Sequence, residues 1–182
     1  MSSSKVRRAA VALLAASVLL SPLQASHAAP TAPGVTVSHV TELESPILVE
    51  LNRVRREHGL RPLRQSPALA RAARAHLRAL ALAGQFRHAW PDGRRFDRWI
   101  TWFYPAEGAR FWAVGETLIW NSAGLTPKGA VEAWLHSPPH RHVLLRPYWR
   151  RLGIGAVRAQ GAGGVYGGAD AMLAAAEFGA RS

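Results

Sequence analysis

Apolar residues recur at helical spacing in three segments of this 182-residue chain, and the same two-residue signal precedes each segment. Proline follows a serine or threonine at Ser45-Pro46, Ser66-Pro67 and Thr126-Pro127. Serine or threonine at the N-cap, with proline at the first helical position, is a strong signal for the start of a helix. We therefore expect three amphipathic helices. Their apolar faces are formed by Ile47, Leu48, Leu51 and Val54; by Leu69, Ala72, Ala73, Leu77 and Leu80; and by Val131, Trp134 and Leu135.

Strand signals lie mostly later in the chain. Residues 151–159 (RLGIGAVRA) and 171–179 (AMLAAAEFG) flank the glycine-rich sequence GAGGVYGG, so we expect them to pair. Residues 111–120 (FWAVGETLIW) have the aromatic and β-branched content of a third strand. A turn at Asp92-Gly93 and a short helix over residues 96–102 are expected before it. Helices and strands without a regular β-α-β alternation predict the α+β class.

The first 28 residues have the three-part pattern of a secretory signal peptide. Lys5, Arg7 and Arg8 precede an uncharged run over residues 9–20, and the small residues Ser26 and Ala28 mark a cleavage site. A membrane anchor is the alternative, but this run as a helix spans only about 18 Å of a hydrocarbon core of about 30 Å. We therefore predict a secreted, extracytoplasmic protein of the cell envelope, with no transmembrane segment after cleavage. Residues 29–44 are linker-like in composition, which leaves residues 45–179 as the folded domain.

Charge and cysteine content narrow the classes of function. The chain contains no cysteine, which excludes thiolate mechanisms and cysteine metal sites and requires that the core alone stabilise the fold. Its formal net charge is +12, most of it from arginine. An exported protein is not expected to meet nucleic acid. The acidic partners expected for this basic chain are therefore envelope polymers and anionic lipid surfaces. Solubility and a general arginine-rich composition are the alternative explanation for the charge.

Two histidines and one glutamate are the candidate site. His88 and His140 lie beside turn signals, and His140 directly follows the two prolines of HSPPHR. Glu116 follows a glycine inside an apolar run, where an unpaired carboxylate would be very costly. These three residues could form an open metal site, or a hydrogen-bonded cluster that binds no metal. The other histidines are expected on the surface, in the linker or in helix packing: His39, His58, His76, His136 and His142.

Several segments together resemble the bacterial branch of the CAP superfamily, the cysteine-rich secretory, antigen and pathogenesis-related proteins, also called SCP domains. They are LNRVRREHGLRPLRQSPALARAARAHL, GQFRHAWPDGRRFDRW, VGETL, VEAWLHSPPHRHVLL, LGIGAV and the terminal EFG. They occur in the order found in the family and cover roughly residues 46–179. The resemblance implies an α-β-α sandwich, in which a central antiparallel sheet lies between helical layers and a cleft opens at the centre.

The resemblance also implies a role for the three candidate residues. In some members of the family, histidines and acidic residues of the cleft hold a divalent metal. The matching positions are His88 in F-x-H, Glu116 in Gly-Glu and His140 in the S-P-x-H-R motif. The chain departs from the family at Thr117, Pro139, Ser137 and Val143, so at most three ligands carry over, to zinc or another divalent ion. His136 and His142 flank the site as further polar groups or as surface residues.

Two functions of different classes follow. The first is a secreted, monomeric binding module whose cleft holds an envelope glycan, a lipid or a protein partner, with or without a divalent metal. The second is a hydrolase in which His88, Glu116 and His140 activate water. The sequence lacks G-x-S-x-G and H-E-x-x-H, which favours the binding module. Several of the seven tryptophans are expected either in the core or in an aromatic wall for a glycan or lipid: Trp90, Trp99, Trp102 and Trp112.

Overall fold

The computed structural model describes residues 7–11 and 34–182. Within these residues the chain forms five α-helices, two short 3₁₀ helices at Ile100–Trp102 and Gly164–Tyr166, and six strands. The helices are α1 (Thr41–Glu57), α2 (Pro67–Ala83), α3 (Phe96–Trp99), α4 (Pro127–His136) and α5 (Pro138–Leu144). The strands are β1 (Arg7–Val11), β2 (Thr36–His39), β3 (Arg64–Gln65), β4 (Phe111–Asn121), β5 (Arg151–Gln160) and β6 (Ala171–Arg181).

The strands form one sheet in the order β1-β4-β6-β5-β2. The three long strands β4, β6 and β5 are antiparallel neighbours, which confirms the predicted pairing across the glycine-rich loop and the predicted third strand. On the other side of β5, β2 pairs with its second half and β3 with its first two residues. Strand β1 lies parallel to the first half of β4. The centre of the sheet is therefore made of β4, β6 and β5.

Helices cover both faces of the sheet. Helices α2 and α3 pack on one face, where two clusters of buried apolar side chains join them to β4, β5 and β6. Helices α1, α4 and α5 pack on the other face around a third cluster, which includes Trp134, Trp149 and Phe178. This arrangement confirms the predicted α-β-α sandwich and the α+β class.

Two of the three predicted helix starts are correct. The Ser66 hydroxyl accepts a hydrogen bond from the Leu69 amide at 3.4 Å, and the Thr126 hydroxyl accepts one from the Gly129 amide at 3.1 Å. The start at Ser45-Pro46 is wrong, because α1 begins at Thr41 and contains the proline. Glutamates at positions 42 and 44 lie in the first turn of α1, where negative charge stabilises a helix.

The described part of the predicted linker is structured. Residues 36–39 form β2, and residues 41–44 form the first turn of α1. Alternating side chains of Val35 and Val37 pack against the core on the α2 face, which explains why this segment joins the sheet. Of the predicted signal peptide, the described residues form β1, and the rest lies outside the described residues. Among the described residues no helix is long and apolar enough to cross a membrane.

The HSPPHR sequence forms a helix start instead of a turn. Helix α4 ends at His136, and only Ser137 separates it from α5, which begins at Pro138. Proline is favourable at the first helical position because its fixed φ suits a helix and its missing N–H would have no partner there. His140 therefore lies in the first turn of α5.

Two glycines of β5 let α2 lie directly on the sheet. A Cβ atom added at Gly153 would lie 2.1 Å from the backbone nitrogen of Ala70, and one added at Gly155 would lie 2.6 Å from the backbone nitrogen of Arg74. These neighbours are helix backbone atoms, so they cannot move aside as a flexible side chain would. A larger residue at either position would push α2 away from the sheet.

Substitution Gly153→Ala tests this contact. We expect it to lower the free energy of unfolding by about 3 kcal/mol, at the upper end of the usual cost of overpacking, because the helix backbone must shift. Urea-induced unfolding measures the change. Gly163→Ala is the matched control, since no atom lies within 4 Å of the added Cβ there. A loss no larger at Gly153 than at Gly163 would contradict the close approach.

Candidate functional site: a buried carboxylate between histidines

Two glutamates face α2 from the centre of the sheet. Glu116 of β4 is directly opposite Glu177 of β6, which is directly opposite Gly153 of β5. Residues opposite each other in antiparallel strands project to the same face, so both carboxyl groups lie under α2. Glu116 is 3% exposed and Glu177 is completely buried. Such buried carboxyl groups require partners.

His76 of α2 is the first partner. Its Nδ1 lies 2.7 Å from Oε1 of Glu116, and its Nε2 lies 3.2 Å from the carbonyl oxygen of Ala89. Both ring nitrogens thus face oxygen atoms. The ring also stacks on Trp90 at 5.6 Å and packs against Trp99 at 4.4 Å between ring centres. In this geometry the buried His76 ring is held between Glu116 and the loop that follows α2.

His88 is the second partner and lies in the loop that follows α2. Its Nδ1 is 2.6 Å from Oε2 of Glu116, so the two histidines bind the two oxygens of one carboxylate. The backbone carbonyl of His88 accepts a hydrogen bond from the Trp99 indole at 3.1 Å, which positions this loop. Within the described residues the other ring nitrogen, Nε2, has no partner, and the side chain is 21% exposed. His88 therefore connects the buried carboxylate to the surface.

His140 approaches from the other helical layer. It belongs to α5, whose Val143 and Leu144 are part of the core on the opposite face of the sheet. The side chain is half-buried and forms no hydrogen bond within the described residues. Burial lowers the pKa of His140, the neighbouring His88 lowers it further, and the charge of Glu116 opposes both. His140 is thus close enough to both residues for their charges to affect it.

The environment separates the pKa values of the two glutamates. Burial alone would raise the pKa of Glu116, but the charges of His76 and His88 and their hydrogen bonds outweigh burial and lower it. Burial and the adjacent charge of Glu116 raise the pKa of Glu177 well above its ordinary value. Although Glu116 lies beside it, neither carboxyl oxygen of Glu177 forms a hydrogen bond within the described residues. Glu116 is therefore the carboxyl group that ionises first, and Glu177 keeps its proton to a higher pH.

The same reasoning applies to His88. Burial lowers its pKa, but the hydrogen bond to Glu116 and the charge of that carboxylate raise it by more. The pKa of His88 is therefore shifted upward while that of His140 is shifted downward. Two imidazoles with opposite shifts lie near the same carboxylate.

Three groups of this site have the spacing of metal ligands. One donor atom each from His76, Glu116 and Glu177 lie within 4.8 Å of one another. A nitrogen and two carboxylate oxygens suit zinc, and the unpartnered oxygens of Glu177 are free to act as donors. The residues therefore fit a divalent cation. Within the described residues, His88 and His140 lie outside this group.

The structure brings together part of the set predicted from sequence. His88 and Glu116 are in direct contact, and His140 lies near them. His76 was assigned to the surface or to helix packing, yet it is a direct partner of Glu116. Glu177 was not predicted as a site residue at all. The remaining histidines within the described residues lie outside this cluster, and all are exposed: His39, His58, His136 and His142.

Signals for both missed residues are present in the sequence. His76 lies four residues after Ala72 and four before Leu80, which places it on the apolar face of α2. Glu177 is the one charged residue in the apolar run of residues 171–180. A charged or polar residue at a buried position needs a partner, and each of these residues lies beside Glu116.

The tryptophans near the site divide into core and surface residues. Trp99 and Trp112 are buried in the core between α2, α3 and β4, as core packing predicts. Trp90 is half-buried, and Trp102 is 51% exposed. Trp102 packs edge-on against Trp90 at 5.5 Å, and the guanidinium of Arg94 lies 4.7 Å from its ring centre. An aromatic surface therefore extends outward from His76 through Trp90 to Trp102.

The fold is a three-layer α-β-α sandwich, and its candidate site is a histidine–glutamate centre. Residues 48–167 match the model of the cysteine-rich secretory protein (CAP) family. The chain therefore belongs to the CAP family, although it contains no cysteine.

Individual relatives agree with this assignment. The chain is 28% identical over 123 residues to the uncharacterized protein YkwD of Bacillus subtilis, a match that covers 67% of this chain and 45% of that protein. The chain thus spans about half the length of this relative. An outer surface protein from Borrelia burgdorferi has a similar fold, with a TM-score of 0.58 and 19% identity over 76% of this chain and 92% of that one. An extracellular SCP-domain protein from Bacillus anthracis gives a TM-score of 0.56 and 22% identity over 76% and 40% of the two chains.

The buried carboxyl of Glu177 predicts a pH-dependent stability difference in metal-free protein. Its pKa is higher in the folded state than in the unfolded state, where it is about 4.3. The contribution of Glu177 to folding therefore becomes less favourable as pH rises above about 4.3, until the folded-state pKa is reached. Glu177→Gln removes this titration. We expect the variant to gain little at pH 4 and to gain stability over the wild type progressively between pH 5 and pH 7.

Urea unfolding in the presence of a chelator, at a series of pH values, measures this difference. Glu132→Gln is the matched control. Glu132 is exposed on α4, and within the described residues its side chain pairs only with exposed Lys128, at 3.7 Å. A stability difference between Glu177→Gln and wild type that is the same at pH 4 and pH 7 would contradict the assignment of a buried, protonated carboxyl.

Proposed function

We propose that this protein is an exported binding module of the cell envelope, and that its ligand is a glycan bound beside the histidine–glutamate centre. The observation that carries the proposal is the exposed ring of Trp102, which is joined through Trp90 to His76. Among the described residues, Trp102 is the one exposed large aromatic side chain. The extracellular and outer surface proteins of similar fold support the extracytoplasmic location.

A sugar ring matches both parts of this surface. Its C–H faces pack well on an exposed aromatic ring, whose π-system carries a negative face. Its hydroxyl groups both donate and accept hydrogen bonds, and the free Nε2 of His88 and the half-buried His140 offer such partners. A lipid chain would use the aromatic surface but not these polar groups. A combined aromatic and imidazole surface therefore favours a glycan over a lipid.

A hydrolase is the second candidate function, and one contact favours it. The bond between Nδ1 of His88 and Glu116 fixes the orientation of the imidazole and leaves Nε2 directed away from the carboxylate. A carboxylate-oriented imidazole next to a second imidazole, His140, is an arrangement that can accept and donate a proton during attack by water. The glycan held at Trp102 would then be the substrate.

The glycan proposal predicts a loss of binding in Trp102→Ala. Stacking worth about 1.4 kcal/mol corresponds to roughly tenfold in affinity, so we expect about tenfold weaker retention on purified envelope glycan. Co-sedimentation with insoluble cell-wall glycan measures it. Val49→Ala is the control, because Val49 is similarly exposed at 60% but lies on α1 in the other helical layer. Equal retention of wild type and Trp102→Ala would show that the aromatic surface does not bind the glycan.

Incubation with the same insoluble cell-wall glycan distinguishes binding from hydrolysis. A hydrolase would release soluble saccharides, and both His88→Ala and His140→Ala would abolish the release while retaining most of the binding through Trp102. A binding module would release none. Trp102→Ala would raise KM of a hydrolase and leave its kcat nearly unchanged, since the ring lies outside the proton-transfer groups.

Divalent-metal binding is the further part of the proposal, and two ligand sets share Glu116. One is the set from sequence, His88, Glu116 and His140, and the other is the buried group with His76 and Glu177. The buried group has the closer ligand spacing, so we propose it as the metal site. A bound ion would supply Lewis-acid chemistry or fix the two glutamates in place.

Zinc titration by calorimetry, together with metal analysis of the purified protein, separates the two sets. We expect Glu177→Gln to lower zinc affinity at least tenfold and His140→Ala to leave it within about twofold, because removal of one of three ligands is severe. The opposite result would assign the metal to the sequence-based set. No saturable zinc binding by the wild type would end the metal proposal and leave glycan binding intact.

A further inference from the structure

A cavity lies at the N-terminus of α2, away from the histidine–glutamate centre. Its volume is about 360 Å³, which is at the small end of the range for ligand pockets. Its walls come from the start of α2, the loop before β4, the start of β5 and the end of β6. Helix α2 rises about 1.5 Å per residue, so Pro67 at the cavity lies roughly 14 Å along the helix from His76. The two sites are therefore separate.

The charge of this cavity is strongly positive. Arg150, Arg151 and Arg181 line it, against one carboxylate, that of Glu107. Arg181 binds Glu107 at 2.7 Å, which neutralises one of the three guanidinium groups. Arg151 has no acceptor for its side chain within the described residues, and Arg150 contacts only the backbone carbonyls of residues 147 and 149 there. Two positive charges thus remain for a ligand.

Two uncharged donors face the same space without a partner. Tyr104 is 4% exposed and lines the cavity, yet its hydroxyl forms no hydrogen bond within the described residues. Burial raises the pKa of Tyr104, and the charges of Arg181 and Arg151 partly oppose this rise, so both guanidinium groups lie near the phenol. The backbone N–H of Ala68, the second residue of α2, also has no acceptor within the described residues and lies where the helix dipole favours negative charge.

We propose that this cavity binds a phosphate group, as a phosphomonoester or a phosphodiester. Guanidinium groups, a phenol hydroxyl and a helix N-terminal N–H are all hydrogen-bond donors, and phosphate oxygens accept from several directions at once. A carboxylate has only two oxygens in one plane, so it would leave part of this donor set unused. The two remaining positive charges suit the single charge of a phosphodiester or the double charge of a phosphomonoester, and the volume leaves room for a small substituent such as glycerol.

Glu107 competes with the proposed ligand for Arg181. Its carboxylate occupies the guanidinium at 2.7 Å and adds a negative charge at the wall of the cavity. Removal of this charge should strengthen phosphate binding, which distinguishes a phosphate site from an arginine cluster that only stabilises the fold.

Calorimetric titration of the purified protein with inorganic phosphate and with glycerol 3-phosphate tests the proposal. We expect saturable binding that Arg151→Ala weakens at least tenfold, Tyr104→Phe weakens several-fold and Glu107→Gln strengthens several-fold. Arg56→Ala is the matched control, because it removes an exposed arginine of α1 that forms no ion pair within the described residues, and we expect a change of less than twofold. Thermal unfolding of each variant confirms that it is folded.

Several results would overturn the proposal. They are no saturable binding by the wild type, equal weakening by Arg151→Ala and Arg56→Ala, and no gain of affinity in Glu107→Gln. The source of the phosphate is tested with vesicles of phosphatidylcholine with and without phosphatidylglycerol. Vesicle binding that depends on Arg151 assigns the site to a lipid headgroup, whereas binding of the soluble phosphoesters alone assigns it to a free or polymer-borne phosphate. Neither result depends on Trp102, so the glycan proposal stands or falls separately.

Discussion

The carboxylate of Glu116, buried between two imidazoles, is the interaction on which the α2 face of the protein depends. An ionised carboxylate inside a protein is very costly unless hydrogen bonds and opposite charge surround it. His76 from α2 and His88 from the loop after it contact one oxygen each. Both contacts require α2 to lie directly on the sheet, and the missing side chain of Gly153 permits this. The hydrogen bonds to Glu116 therefore depend on the close packing of α2 against the sheet.

The pattern of apolar and polar residues was sufficient to predict the helical layers and the sheet of the fold. Helix α2 was predicted because Ser66 caps it and its apolar residues repeat at helical spacing, and both signals are local. The long strands were predicted because β-branched, aromatic and small apolar residues fill them. Strand β2 was missed because its inward-facing Val37, and Val35 just before the strand, follow a region rich in proline and threonine that is typical of a linker.

The centre of the site was only partly predictable, because its contacts join residues far apart in sequence. Glu116 and His76 are separated by 40 residues, and nothing local to either indicates which partner it has. Glu177 becomes a neighbour of Glu116 only through the register of β4 and β6, which no sequence motif states. His140 was expected in a turn, but prolines at the first positions of a helix are favourable and extend the helical layer instead.

One helix positions both sites that the structure defines. The first residues of α2 line the arginine cavity, and its middle carries His76, so the two sites share the same packing against β5. They are kept apart along the helix by roughly 14 Å. At physiological ionic strength the interaction of exposed charges is screened over about 8 Å, so a phosphate in the cavity would change the charge balance at His88 little by direct electrostatics. Any coupling between the sites would therefore need a movement of α2, which the close contact at Gly153 opposes.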